Sequence, residues 1–217
     1  MTKVMFSRVY YVELCAIKLK QVQMKSEIIK LGKKILVAFL LVSGVLVAQE
    51  SKVNIKESKL TILGTSNVHD WHVNAEVMSG KAVFVSEGNT LKEVKSLNFV
   101  LGSEGLKSGK SGMDKNTYKA LKTGTYKNIE FKLLSVAKIT KKSEGVFAVE
   151  TQGNLTICGV TKKVNQVFTV KVNGEKYVLS GKQTIDMTTY NVEPPTALMG
   201  TIKTGKEVTA DFSVTYN

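Results

Sequence analysis

The sequence predicts an all-β protein, a single antiparallel β-barrel or sandwich of about eight strands with one short helix inserted between two of them. Apolar and polar residues alternate with a period of two from Lys52 to the last residue, which is the spacing of strands with one buried face. Breaks that contain glycine or asparagine separate the alternating segments, as turns do. The chain of 217 residues has 2 prolines and 17 glycines, a composition that argues against a disordered or fibrous protein.

The predicted strands follow one another closely along the chain. They begin with KLTILG and continue with HDWHVNAEV, KAVFV, VKSLNFVL, NIEFKLLSVAKI, VFAVETQGNLTI, KKVNQVFTVKV, KYVLSGKQTIDM and EVTADFSVTYN. The last of these is the most regular, because every second residue is apolar and the residues between them are threonine, aspartate or serine. Its predicted buried face consists of Val208, Ala210, Phe212, Val214 and Tyr216.

One segment lacks the alternation and predicts a helix. In MDKNTYKALKTG, residues 113–124, Asp114 is placed to cap the start and Gly124 to end the helix. The preceding GSEGLKSGKSG, residues 102–112, has the composition of a flexible loop. It resembles a phosphate-binding loop, but that pattern requires glycine at the position of Glu104. The sequence therefore indicates no nucleotide cofactor.

Both histidines and the single tryptophan lie in TSNVHDWH, residues 65–72. If this stretch is a strand, His69 and Trp71 point to one face together with Val73, and His72 points to the other face. A metal site needs ligands that converge on one point, so we expect no metal shared by the two histidines. His69 is instead expected beside Trp71, at or inside the core, as a hydrogen-bonded histidine.

The N-terminal segment predicts export. A basic stretch precedes the apolar run from Ile35 to Ala48, and this run is shorter than the roughly 20 residues of a spanning helix. Residues 24–48 therefore read as a signal peptide cleaved after Ala48, which leaves residues 49–217 as the folded domain in the periplasm or outside the cell. The alternative is an uncleaved anchor. Residues 1–23 form an N-terminal extension, or translation starts at Met24.

The charge of the predicted mature chain is moderate and diffuse. The whole chain carries +13, and residues 1–48 contribute 8 basic and 2 acidic residues, so residues 49–217 carry 13 − 6 = +7. The lysines are spread along the sequence, which is typical of a solvated surface. They favour at most a transient contact with an anionic membrane surface. Most aromatic residues fall on the apolar face, so no nucleic-acid partner is predicted. Cys158 is expected to be a small buried residue.

Four segments carry a family resemblance. GNLTICGVTKKV, residues 153–164, resembles the G-x-L-T-x-x-G-V-T-K signature of the YceI family, matched by Gly153, Leu155, Thr156, Gly159, Val160, Thr161 and Lys162. MDKNTYKALKTGTYKNIEFKL, residues 113–133, is similar to the helix and following strand of that family, although the usual proline next to Asn128 is missing. The C-terminal PPTALMGTIKTGKEVTADFSVTYN and the GTSNVHDWHV stretch also fit, so the resemblance covers about residues 52–217.

The resemblance implies a lipocalin-like, extended antiparallel barrel. It also implies a bacterial protein. It implies a secreted or periplasmic protein that holds a polyisoprenoid or similar amphiphilic lipid in the barrel lumen, without cofactor, metal or catalytic residues. The alternation along the strands then nominates the ligand-lining residues, which are His69, Trp71, Val73, Ala75, Leu97, Phe99, Ile129, Phe131, Leu155, Ile157, Phe168, Val170, Phe212 and Val214.

Two alternatives to a lipid carrier stay open at this stage. One is an enzyme that acts on a quinone-like substrate in the same cavity, with His69 as acid or base. The other is a structural barrel whose interior is filled by side chains. The oligomeric state is not indicated by the sequence.

Overall fold

The computed structural model describes residues 49–217, which form twelve antiparallel strands and one α-helix. The helix is α1 (Ser111–Ala120). The strands are β1 (Gln49–Lys52), β2 (Lys59–Ser66), β3 (Trp71–Ala75), β4 (Met78–Glu87), β5 (Thr90–Gly102), β6 (Leu106–Lys107), β7 (Asn128–Ser143), β8 (Val146–Ile157), β9 (Val160–Asn173), β10 (Lys176–Asp186), β11 (Thr196–Ala197) and β12 (Ile202–Tyr216). The predicted signal peptide and residues 1–23 lie outside the described residues.

The strands form one strongly curled sheet in the order β1-β4-β5-β7-β8-β9-β10-β12-β2-β3-β6, with β11 paired to β12. Its two sides meet at one end. There β1 pairs with β4, and the residue after it, Val53, bridges to Tyr216 at the end of β12. The main chains of Lys52 and Asn217 also exchange two hydrogen bonds of 2.8 and 2.9 Å. The predicted all-β, antiparallel barrel-like fold with one short helix is therefore confirmed, with more strands than the eight expected.

The interior of the barrel has two parts. At the end where β1 meets β12, a filled core surrounds Phe84, whose ring stacks on Tyr177 at 4.2 Å and meets Tyr216 edge-on at 5.9 Å. At the opposite end, α1 and the segment after β10 pack across the barrel through Leu121 and Tyr190. The inner faces of the strands leave a void below them. The predicted buried face of β12 is confirmed, since its alternate residues from Val208 to Tyr216 all face this interior.

The prediction of one long strand through residues 69–77 is wrong at both ends. The Oγ atom of Ser66 accepts hydrogen bonds from the main-chain N–H groups of Val68 and His69, which folds residues 66–70 into a turn, so β3 begins only at Trp71. His69 is therefore exposed and not a core residue. β3 ends at Ala75, and Val77 is exposed in the link to β4.

The helix begins earlier than the sequence suggested. It starts at Ser111, and Asp114 lies inside its first turn. The Asp114 carboxylate does not cap the helix; it accepts hydrogen bonds from the main-chain N–H and the hydroxyl of Ser108 at 2.7 and 2.6 Å. α1 ends at Ala120, and the left-handed residue after it is Lys122, with φ of 51°, instead of Gly124. No helix in residues 49–217 is long and apolar enough to cross a membrane.

The segment before the helix is more ordered than a flexible loop. A short 3-10 turn covers Ser103–Gly105, and β6 then pairs with the end of β3. Leu106 of β6 is buried in a cluster with Leu60, Val73, Met78 and Leu101. The hydroxyl of Tyr118 in α1 lies 3.1 Å from the main-chain oxygen of Leu106, so β6 also contacts the helix.

Candidate ligand-binding cavity

A cavity of about 210 Å³ lies inside the barrel beneath α1, partly open to solvent. Its wall is almost entirely apolar, and no aspartate, glutamate, lysine, arginine or histidine of residues 49–217 lines it. Eleven of the fourteen residues nominated from the sequence line it, namely Trp71, Val73, Leu97, Phe99, Ile129, Phe131, Leu155, Ile157, Phe168, Phe212 and Val214. The alternation of the strands therefore brings most of the nominated side chains together.

Three nominated residues do not line the cavity. His69 lies in the exposed turn before β3, where its Nδ1 is 2.8 Å from the main-chain oxygen of Asp70. Ala75 is half-buried and packs in the cluster around Leu106. Val170 is fully buried, but it belongs to the filled core at the other end of the barrel. Alternation predicted the inward face of β9 for Val170 correctly, yet it carries no information on which end of the barrel is filled.

The end of the cavity is closed by residues that the sequence did not nominate. From α1 and the residue after it these are Thr117, Ala120 and Leu121, and from the connection between β10 and β12 they are Met187, Tyr190, Val192 and Pro195. The connection has no regular period, so alternation could not place it. The helix itself was predicted from the sequence, but the period of the strands does not indicate which surface it covers.

Trp71 is held in the wall by its neighbour on β2. It pairs with Gly64, and a side chain at position 64 would collide with the indole ring. The indole N–H donates to the main-chain oxygen of Thr65 at 2.9 Å. The ring therefore presents its apolar surface to the cavity while its polar atom is satisfied outside it.

Strands β9 and β10 separate beside the cavity. Their pairing runs from Asn173 and Lys176 to Thr169 and Ser180 and does not continue further within the described residues. The side chain of Gln166 spans the gap, with Nε2 at 3.4 Å from the main-chain oxygen of Lys182. Gln166 and Gln183 both line the cavity and are its two amide side chains. Neither was nominated, although Gln166 shares its parity with the apolar residues of β9.

Lysine side chains lie near Tyr190, and the burial of this tyrosine raises the pKa of its hydroxyl. Lys162 lies over the ring of Tyr190 at 5.9 Å from the centroid, and Lys122 donates to the main-chain oxygen of Asn191 at 3.0 Å. Burial raises the pKa of Tyr190, so its hydroxyl stays protonated and uncharged at neutral pH. No group of three or more His, Cys, Asp or Glu side chains that could hold a metal ion occurs in residues 49–217.

A comparison with protein-family models matches residues 45–216 to the YceI-like domain. The chain belongs to the YceI family. A comparison with curated protein sequences found no match. Among solved structures, the YceI-like domain is similar to BcnA of Burkholderia cenocepacia, with a TM-score of 0.59 and 18% identity over 75% of this chain and 98% of BcnA.

A second similar structure is a polyisoprenoid binding domain from Saccharophagus degradans implicated in plant cell wall breakdown. It has a TM-score of 0.59 and 15% identity, over 77% of this chain and 97% of that domain. At these identities the two structures confirm the fold of the YceI-like domain, and the family match confirms the resemblance found in the sequence.

The YceI signature residues have structural tasks in this chain. Gly153 leaves space for the ring of Phe131 on β7, since a Cβ at position 153 would collide with it. Cys158 and Gly159 form the tight β8–β9 turn, with φ of 47° and 75°. A Cβ at Gly159 would also meet the Tyr126 ring. The two glycines thus let the rings of Phe131 and Tyr126 pack against the β8–β9 hairpin, and the ring of Phe131 forms part of the cavity wall.

Proposed function

We propose that this chain is an exported carrier that holds a polyisoprenoid or a similar long-chain amphiphilic lipid in its barrel. The observation that carries the proposal is the cavity beneath α1, whose wall is apolar and free of charged side chains. Each CH₂ group moved from water into such a wall contributes about 0.8 kcal/mol. The similarity to a polyisoprenoid binding domain supports the same ligand class.

The volume of the cavity is sufficient for part of an isoprenoid chain. An apolar cavity of ~150 Å³ holds one benzene ring, that is, six carbons. A cavity of about 210 Å³ therefore accommodates on the order of one to two isoprene units. A longer ligand extends through the open side of the cavity.

Export belongs to the same proposal. The basic stretch and short apolar run before Ala48 support a cleaved signal peptide, and the first strand of the barrel begins at Gln49. Cleavage after Ala48 leaves every described strand intact. Intact-mass analysis of protein recovered from a bacterial periplasm or culture medium tests this point. A mature chain that retains residues 35–48 would contradict it.

The enzymatic alternative loses its candidate acid or base. His69 lies in the exposed turn outside the cavity, and the cavity wall formed by the described residues has no ionised side chain. The filled-barrel alternative is also less favoured, because the end of the barrel beneath α1 contains a void. Binding is the function that the apolar wall supports best.

Native mass spectrometry tests the carrier directly. Protein purified without detergent should carry an extra apolar mass that disappears on denaturation and is recovered in an organic extract. The emptied protein should then bind a prenyl alcohol, and the fluorescence of Trp71 measures this binding. A protein that yields no lipid and leaves Trp71 fluorescence unchanged during such a titration is a filled barrel and not a carrier.

A further inference from the structure

The positive charge of the domain is concentrated in the segment that covers one end of the barrel. Residues 103–127, which include β6 and α1, contain 6 lysines against Glu104 and Asp114, so they carry 6 − 2 = +4. The rest of residues 49–217, a segment several times longer, carries only 7 − 4 = +3. The charge is therefore less evenly distributed over the domain than the spread of its lysines along the sequence suggested.

The lysines of α1 lie on the side of the helix that faces away from the cavity. Thr117 and Ala120 of the helix line the cavity. Lys115 and Lys119 are one helical turn apart and are both exposed. The cover of the cavity therefore has an apolar inner face and a basic outer face.

Two neighbouring turns expose apolar side chains. Val68, in the turn between β2 and β3, is 62% exposed, and Met199, at the tip of the β11–β12 hairpin, is fully exposed. The side chain of Asn67 joins the two turns. Its Nδ2 donates to the main-chain oxygen of Thr201 at 2.9 Å, and its Oδ1 accepts from the main-chain N–H of Lys203 at 2.8 Å. The two exposed apolar side chains therefore lie on turns that are in direct contact.

Both turns adjoin the wall of the cavity. The first turn leads directly into Trp71, and the second hairpin is preceded by Pro195, and both of these residues line the cavity. Trp71 also packs against the same hydrophobic cluster as Met113 and Leu121, at the two ends of α1. The exposed apolar turns and the basic helix therefore belong to the same end of the barrel.

We infer that this end of the barrel docks on an anionic phospholipid membrane. The lysines on the outer face of α1 contact lipid phosphates, and Val68 and Met199 enter the interface between head groups and acyl chains. Apolar burial and attraction to anionic lipids add to one another in such attachment. The inference rests on the proposed carrier function for its purpose, because a lipid that is insoluble in water has to pass between a bilayer and the cavity.

Co-sedimentation with lipid vesicles tests the basic part of this surface on protein without added ligand. Vesicles of phosphatidylglycerol and phosphatidylcholine in equal amounts should bind at least about tenfold more tightly than phosphatidylcholine alone, and salt should reduce the difference. Lys115→Gln combined with Lys119→Gln should weaken binding to the anionic vesicles about tenfold or more. The matched control is Lys142→Gln combined with Lys171→Gln, which removes the same charge from exposed positions near the hairpins at the opposite end. It should weaken binding much less.

A single substitution tests the apolar part. Met199→Ser should weaken binding to the anionic vesicles about threefold or more, and adding Val68→Ser should weaken it further. Ile55→Ser is the matched control, because Ile55 is 48% exposed in the 3-10 turn after β1, at the opposite end of the barrel. It should leave binding unchanged. All of the substituted side chains in both tests are exposed, so each variant should keep the folded barrel.

The outcomes separate docking from lipid carriage. If both kinds of vesicle bind equally, if the two lysine pairs have equal effects, or if Met199→Ser binds like Ile55→Ser, the docking inference is wrong and the carrier function stands. Absence of vesicle binding also overturns it and leaves the basic cover to an acidic protein partner. If the vesicles bind as expected but native mass spectrometry finds no bound lipid, the docking surface stands and the carrier function is wrong.

Discussion

The indole of Trp71 occupies the space that a side chain at Gly64 would need, and the two residues pair directly across β2 and β3. This close approach places the indole in the cavity wall. It also makes Gly64 a position where a single methyl group changes the shape of the binding site.

Gly64→Ala should therefore displace the ring. We expect a loss of about 1–3 kcal/mol in the free energy of unfolding, as for other overpacked sites, with a shift of the emission maximum of Trp71. Urea denaturation and fluorescence spectra measure both. Gly124→Ala is the control, because a Cβ at position 124 meets no atom within 4 Å. Equal stability and spectra for the two variants would show that the indole is not held by Gly64.

The division of the interior predicts opposite responses to the same substitution at two alanines. Ala210 lines the cavity, whereas Ala82 is 0% exposed in the filled core. Ala82→Phe should cost about 1–3 kcal/mol or more. Ala210→Phe has room for its ring, so it should cost less than about 1 kcal/mol but weaken lipid binding about tenfold or more. Thermal unfolding and ligand titration distinguish the two variants. Two equally destabilised proteins would indicate that the void is not a ligand site.

The thiol of Cys158 should react slowly in the folded protein. It is 5% exposed and donates a hydrogen bond to the main-chain oxygen of Leu121 at 3.1 Å. Burial raises its pKa, against a smaller opposing effect of Lys122, and the thiolate is the reactive form. At pH 8, iodoacetamide should modify Cys158 in the folded protein at least about tenfold more slowly than in urea. Because Leu121 lines the cavity, bound lipid should slow the modification of Cys158 further. Equal rates in buffer and urea would contradict this account.

Acid should remove the contribution of Asp114 to the anchoring of α1. The hydroxyl of Ser108, followed by its main-chain N–H, holds the pKa of Asp114 below the ordinary value of 3.8. A carboxyl with a lowered folded-state pKa stabilises the fold above its unfolded pKa and loses this effect as pH falls through the folded pKa. The stability advantage over Asp114→Asn should therefore be constant near neutrality and shrink below about pH 4. Ser108→Ala should reduce that pH dependence. A difference that grows in acid would contradict the assigned direction.

The fold could be predicted where a strand alternates without interruption. β12 is the clearest case, since its five apolar residues from Val208 to Tyr216 all face the interior. The prediction failed at His69 because the hydrogen bonds of Ser66 turn the main chain there, and a period of two does not detect a turn held by a serine side chain. Local bonding of this kind competes with strand formation.

The sequence predicted which side chains of the strands face the binding site, but not how deep the cavity is or which residues cover its end. Parity selected inward residues along the strands, including Val170, yet filled and empty ends of the barrel follow from contacts between distant strands. The cover formed by α1 and Tyr190 is likewise non-local. Gln166 could have been nominated from the sequence, because it lies between Val164 and Phe168 on the same parity. It was not, because only apolar residues were nominated on β9.

The reciprocal hydrogen bonds between Lys52 and Asn217 have a practical consequence for engineering. They hold both ends of the barrel domain side by side, at the end opposite α1. A fusion partner or surface tether at residue 217 would leave the cavity unobstructed for a sensor. The same proximity suits circular permutation. At ~3.3 Å per residue, a short linker could join residue 217 to residue 49, with new ends opened in the exposed β9–β10 hairpin at Gly174.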